Sequence, residues 1–255
     1  MPFSSKPILL VALVAVAGCE PPVELVETEG GWTQGELGRT RWHFNDGLCP
    51  NDRRCDLGVP LALGASIVLQ IRGAEDVTLA PTVTGALTLI EATQFEESGN
   101  WHVTVSASSA GAGAIVFSEG AAVFDRASIV VRRATRLDCG VWTSSNAVRW
   151  DMEELEASTE LDVPFVEEGA REPQLVCRAA DSGGPLLSVD AITWEIIEGA
   201  DVLTLREYGF GGPPVSGARI HYVTPGPGTA RVRATLGDVT QDLTFTVACP
   251  AAGCE

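Results

Sequence analysis

Pro227-Gly228-Thr229-Ala230-Arg231-Val232-Arg233-Ala234-Thr235, followed by Leu243-Thr244-Phe245-Thr246-Val247, is the stretch whose reading decides the fold. Ala230, Val232 and Ala234 alternate with polar neighbours, as do Leu243, Phe245 and Val247 with two threonines. A period of two places one set of side chains on a buried sheet face and the other in solvent. Pro227-Gly228 is a turn, so the stretch reads as two half-buried strands.

Working outward, the same pattern recurs along the chain. Strand-like segments are expected at 37–44, 61–71, 77–83, 87–95, 101–106, 114–117 and 127–131. Turn residues separate them, among them Asn45-Asp46-Gly47, Arg72-Gly73 and Ser98-Gly99-Asn100. A second set is expected at 161–166, 174–178, 191–197, 202–205, 218–223, 229–234 and 243–247. No long stretch carries a helical 3.6-residue apolar period, so the chain reads as all-β.

The P-G-T-A turn with its strand, and the closing T-x-T-V strand, resemble the last two strands of bacterial immunoglobulin-like domains. Ile192-Thr193-Trp194 resembles their central strand, whose tryptophan packs between the sheets. A weaker echo, Ala110 to Val116 and Ala127 to Val131, stands where a first copy has the same closing strands. The resemblance implies two tandem immunoglobulin-like β-sandwich domains, at 36–133 and 134–255.

Residues 8–17 are ten consecutive apolar residues behind a segment whose one charge is Lys6, the layout of a secretory signal. Ten residues cannot span a hydrocarbon core, which needs about 20. Val16-Ala17-Gly18-Cys19 resembles a lipobox, which implies a lipoprotein signal peptide at 1–18 and a thioether lipid on Cys19. Ordinary secretion, with Ala15-Val16-Ala17 as the cleavage site, is the alternative. Glu20 follows the cysteine where an aspartate would hold a lipoprotein in the inner membrane, so an outer-membrane lipid anchor is expected. Residues 19–35 read as the lipidated cysteine and an acidic tether, in which the twelve residues Glu20 to Gly31, with Pro21-Pro22, four glutamates and Gly30-Gly31, could reach ~40 Å from the lipid.

Lys6 is the single lysine, so the mature chain carries sixteen arginines against 34 acidic side chains. That balance argues against nucleic acid or anionic membrane surfaces as partners, since both demand clustered positive charge. It also removes lysine Schiff-base chemistry and the phosphate-binding lysine of P-loops. No cofactor is expected. The remaining partners are the membrane, through the lipid, and an unidentified envelope protein or polysaccharide.

Seven cysteines become six once Cys19 is lipidated, an even number suited to an oxidising compartment. Cys49 and Cys55 can close one small ring and Cys249 and Cys254 another, which leaves Cys139 and Cys177 as a pair. Six cysteines nevertheless allow 15 connectivities. Zinc ligation lacks histidines at ligand spacing. Asp46, Asp52 and Asp56 offer oxygens to calcium but do not follow the D-x-D-x-D-G loop pattern.

Asp181-Ser182-Gly183-Gly184-Pro185-Leu186 resembles the nucleophile loop of trypsin-like serine proteases. That resemblance implies Ser182 as nucleophile, His43 as base and an aspartate such as Asp76 as its orienter. Departures weaken it: Ala180 stands where the family has an oxyanion-hole glycine, and His43 lies in Arg41-Trp42-His43-Phe44 rather than an A-A-H-C context. The same D-S-G-G-P also supplies the residues of a turn. Trp142 and Trp150, around Thr143-Ser144-Ser145-Asn146, are candidates for a sugar-stacking platform. The expected function is therefore a lipid-anchored cell-envelope protein with a non-catalytic binding, adhesion or structural role. A degenerate serine hydrolase and a carbohydrate-binding surface module are the alternatives.

Overall fold

The computed structural model describes residues 27–28, 32–44, 58–78, 80–142, 159–163, 174–188, 191–206 and 219–248. Among them the regular structure is β, with no helix, in four sheets that pack as two immunoglobulin-like sandwiches. The first sandwich pairs a six-stranded sheet with a four-stranded one. Its larger sheet runs β1 (Glu27–Thr28), β2 (Trp32–Gln34), β3 (Arg41–Phe44), β5 (Ser66–Arg72), β8 (Trp101–Ala107) and β7 (Leu87–Gln94). Facing it are β4 (Leu61–Ala62), β10 (Ala122–Arg132), β9 (Gly111–Glu119) and β6 (Thr82–Gly85).

The second sandwich repeats the plan. One sheet runs β11 (Arg136–Trp142), β13 (Gln174–Asp181), β17 (Arg219–Val223) and β16 (Thr204–Arg206), with β14 (Gly184–Leu186) paired to β13. The other runs β12 (Glu160–Val163), β19 (Val239–Val247), β18 (Gly228–Leu236) and β15 (Thr193–Glu198). In each sandwich a closing antiparallel hairpin, β9–β10 or β18–β19, accepts a short parallel strand on its last member, β4 or β12. This shared device is the structural form of the echo between the two halves.

Alternation builds both cores. In β8 the odd positions Trp101, Val103 and Val105 are buried and the even ones are not. Trp42 of β3 and Trp101 of β8 each meet the Phe117 ring of the opposite sheet edge-on, with centroids 5.8 Å apart. Burying such a side chain stabilises the fold by roughly 2–3 kcal/mol. In the second core, Ala230, Val232 and Ala234 of β18 and Leu243 and Phe245 of β19 have no exposed surface. These are the alternating apolar positions of the decisive stretch.

Several boundaries differ from those expected, each for a local reason. Glu27–Thr28 and Trp32–Gln34 form the two outermost strands of the first sheet on one side, so these residues of the expected tether belong to that sheet. The expected strand at 61–71 is two strands in opposite sheets, because Gly64, at φ +89°, turns the chain between β4 and β5. Residues 77–78 and 80–81 lie outside strands, and the Val77 N–H is spent on the turn carbonyl of Ala74. Trp194 sits on β15, an edge strand rather than a central one, and is only partly buried. Strand β11 falls in none of the expected segments; it pairs along its whole length with β13.

The junction between the sandwiches is short and bonded. Leu187 bridges Leu61 in parallel; its carbonyl accepts the Ala62 N–H at 2.7 Å and its N–H donates to Pro60 O at 2.9 Å. Arg132, the last residue of β10, reaches the Asp181 carboxylate of the second sandwich at 3.6 Å.

Candidate functional site

The outward face of the six-stranded sheet gathers the polar side chains of its strands. Register places Trp32, His43, Gln70, His102 and Thr93 side by side on the neighbouring strands β2, β3, β5, β8 and β7. His43, Gln70 and His102 are flanked in sequence by the core residues Trp42, Leu69, Ile71, Trp101 and Val103, and Trp32 by the buried Thr33, while Thr93 is itself exposed, so the row points away from the core. Strands are spaced about 4.8 Å apart, so the row runs roughly 20 Å across the sheet.

Aromatic contacts frame the row. The Trp32 ring lies 5.1 Å from that of His43, and the Phe95 ring 4.2 Å from that of His102. Phe95 is 46% exposed, which gives this edge of the row an uncovered ring. The Arg72 guanidinium lies 4.2 Å from the centre of the Trp32 ring, a cation–π contact that holds the side chain over the sheet. Burial pushes the pKa of both histidines below the usual imidazole value, and at His43 the Arg72 charge pushes it further. At neutral pH each is therefore an uncharged imidazole with one donor and one acceptor nitrogen.

Arg41 and Arg72 stand directly opposite each other on β3 and β5, one step along the strands from the row. Like charges directly opposed across strands are destabilising. Neither forms a salt bridge to a carboxylate among the described residues. The second sandwich treats its arginines differently. Arg233 lies opposite Asp242 and donates to it at 2.7 and 2.9 Å, and Arg231 reaches Glu198 at 2.7 Å and Asp242 at 3.1 Å. Hydrogen bonding from Arg233 holds the Asp242 carboxyl below its ordinary range. Two opposed arginines without an acid among the described residues, in so acidic a chain, set the first sheet's outer face apart.

The residues expected for serine-protease chemistry are not brought together. Ser182 and Gly183 form the two-residue turn of the β13–β14 hairpin, framed by the pairs Asp181↔Gly184, Ala180↔Pro185 and Ala179↔Leu186. Asp181 accepts the Gly183 N–H at 2.7 Å, and Gly184 takes a φ of +125° to complete the turn. Ser182 is exposed, His43 stands in the outer row of the other sandwich, and Asp76 lies in the turn after β5. Ser182, His43 and Asp76 share no hydrogen bond among the described residues. The motif serves as a hairpin turn whose aspartate meets Arg132.

Cys139 and Cys177 form a disulfide between directly opposed residues of β11 and β13. Cys19, Cys49, Cys55, Cys249, Cys254, Asp46, Asp52, Asp56 and Trp150 lie outside the described residues, and Trp142 ends β11. Among the described residues, no helix is long and apolar enough to cross a membrane. Sequence reasoning missed Trp32, Gln70, Arg72 and Phe95 as members of a shared face. Their signal was present in Arg41-x-His43 and Gln70-x-Arg72, polar residues two apart within apolar strands.

No family model and no curated protein matches this chain. Among solved structures it is similar to the Escherichia coli adhesin FdeC, at 16% identity over 75% of this chain and 61% of that one, with a TM-score of 0.31. It is also similar to domains 5-6 of the S-layer protein SbsC, at 16% identity over 76% and 95% of the two chains, with a TM-score of 0.28. A third likeness is to the Yersinia pseudotuberculosis adhesin InvE, at 14% identity over 75% and 57%, with a TM-score of 0.30. The chain thus spans about three fifths of the two adhesin chains. Scores near 0.3 assign no function; the sandwich fold stands on its strand order, register and cores.

Proposed function

We propose that this protein is a lipid-anchored component of the bacterial cell envelope, held in the outer membrane through Cys19, that binds a partner rather than catalysing a reaction. The observation that carries the binding role is the outer face of the six-stranded sheet, where Trp32, His43, Gln70 and His102 form one row beside the opposed Arg41 and Arg72. Convergent aromatic, amide and cationic groups on a rigid sheet are suited to recognition. The anchor rests on the residues of the lipobox-like Val16-Ala17-Gly18-Cys19, and the Cys139–Cys177 disulfide suits an oxidising compartment outside the cytoplasm.

Three measurements test this reading. Metabolic labelling with a radioactive fatty acid should mark the wild type and fail with Cys19→Ser, which should also leave the membrane fraction. The full chain should sediment with envelope fragments, and Arg41→Ala/Arg72→Ala should weaken that sedimentation. A Ser182-dependent reaction with a fluorophosphonate probe would overturn the non-catalytic role.

A further inference from the structure

We propose that the outer face of the six-stranded sheet binds a carboxylated polysaccharide, with Arg41 and Arg72 taking a carboxylate and the Trp32-to-His102 row taking sugar hydroxyls and ring faces. This inference rests on the binding reading above and names its ligand class. Two observations converge on it: the opposed arginines and the mixed polar row. Arg41 and Arg72 are exposed, directly opposed across β3 and β5, and have no carboxylate partner among the described residues. An anion placed between them would relieve their repulsion, and a guanidinium fork matches the geometry of a carboxylate.

The neighbouring row supplies different chemistry. Gln70 lies between His43 and His102, so an amide stands between two uncharged imidazoles on consecutive strands. His43 and Gln70 carry both donors and acceptors, the mixed set that sugar hydroxyls require. Phe95, exposed at one end of this row, offers apolar surface for the C–H face of a pyranose. The row crosses several strands, a length suited to successive sugars of a linear polymer.

Charge complementarity selects the acidic polymer over a neutral one. The chain carries 34 acidic side chains, and in the second sandwich Arg231 and Arg233 are matched to Glu198 and Asp242. The corresponding acids are missing beside Arg41 and Arg72 among the described residues, so the ligand is assigned the carboxylate. At about 0.15 M salt the Debye length is ~8 Å, which screens the more distant acids while leaving the direct contact.

Affinity electrophoresis of the full chain in detergent, in native gels containing sodium polygalacturonate or dextran, tests the proposal. The wild type should be retarded by polygalacturonate and not by dextran. Arg41→Ala/Arg72→Ala should weaken that retardation at least tenfold, and Gln70→Ala should weaken it with the arginines intact. Arg231→Ala/Arg233→Ala, in the other sandwich, should leave it unchanged, and near-ultraviolet circular dichroism should show every variant folded. Equal retardation by dextran, unchanged retardation of the Arg41/Arg72 variant, or equal competition by polyglutamate would overturn it. If polygalacturonate fails while envelope sedimentation still depends on Arg41 and Arg72, the ligand class is wrong and the binding role stands. If that sedimentation is also unaffected, both fall.

Discussion

Asp125, on β10, accepts both the backbone N–H and the hydroxyl of Thr40, at 2.6 and 2.8 Å, and neither residue has any exposed surface. The same carboxylate accepts the N–H groups of Leu37, Arg39 and Arg126 at 2.8, 2.9 and 2.8 Å. The four donors from Leu37, Arg39 and Thr40 tie the β2–β3 turn to the facing sheet, and the fifth, on Arg126, belongs to β10 itself. A bulge between Val123 and Asp125 re-aims the strand there, and the turn closes so tightly that a side chain on Gly35 would strike the carboxylate.

Asp125→Ala is therefore expected to destabilise the first sandwich by roughly 3–5 kcal/mol, because it leaves buried N–H groups unpaired. Asp125→Asn should not rescue it fully, since both carboxylate oxygens accept from N–H groups and an amide presents a donor where one of them stood. Urea unfolding checks this; an unchanged midpoint for Asp125→Ala would show that water replaces the carboxylate at no cost.

The disulfide between Cys139 and Cys177 joins positions 38 residues apart in sequence. A loop of that size restricts the unfolded chain by about 4 kcal/mol in the chain-entropy account. In the Leu187→Pro background, where the two sandwiches are expected to melt separately, Cys139→Ala/Cys177→Ala, or reduction with dithiothreitol, should lower the melting temperature of the second sandwich. The Asp125-dependent transition of the first should move much less. Equal loss in both transitions would place the disulfide's effect outside the second sandwich.

The alternation of Thr229 to Thr235 makes β18 legible because its apolar side chains are small, evenly spaced and buried on one face. Strands β1 and β2 are hidden because two or three residues cannot display a period, and the glutamates and glycines around them resemble a tether. The motif around Trp194 suggests a central strand, but edge position depends on pairing, which local sequence does not encode. The site is harder still. Arg41 and Arg72 become neighbours only through the β3–β5 register, and Asp125, although in phase with the buried Ala127, Ile129 and Val131, meets its donors only where the β2–β3 turn packs on β10.

Acid should weaken the first sandwich through its histidines. Burial lowers the pKa of His43 and His102 from 6.5, with Arg72 adding to the shift at His43. The unfolded chain then binds protons that the native one excludes, so stability is complete above about 6.5 and falls as pH drops from there toward the native pKa values. Asp242, with its carboxyl lowered from 3.8 chiefly by the Arg233 hydrogen bond, loses its contribution only in a more acidic window. Melting temperatures at about pH 7.5 and about pH 5.5, on either side of the imidazole range, should differ less for His43→Gln/His102→Gln than for wild type. Equal differences would assign the acid sensitivity elsewhere.

Coupling between the sandwiches is expected to run through Leu187. Its N–H donates to Pro60 and its carbonyl accepts from Ala62, while the preceding hairpin presents Asp181 to Arg132. Leu187→Pro removes the donor and disturbs the bridge to Leu61, at a cost of roughly 1–3 kcal/mol. The Arg132–Asp181 pair is partly exposed and its Arg132→Ala variant should cost under about 1 kcal/mol. Ser182→Ala, at the exposed tip of the same hairpin, should stay within about 0.5 kcal/mol of wild type. Calorimetry of the full chain should show the two sandwiches melting together in the wild type and separating in Leu187→Pro. A single unchanged transition in that variant would mean that the contacts at Leu187 do not carry the coupling, and independent melting in the wild type would mean that no coupling exists.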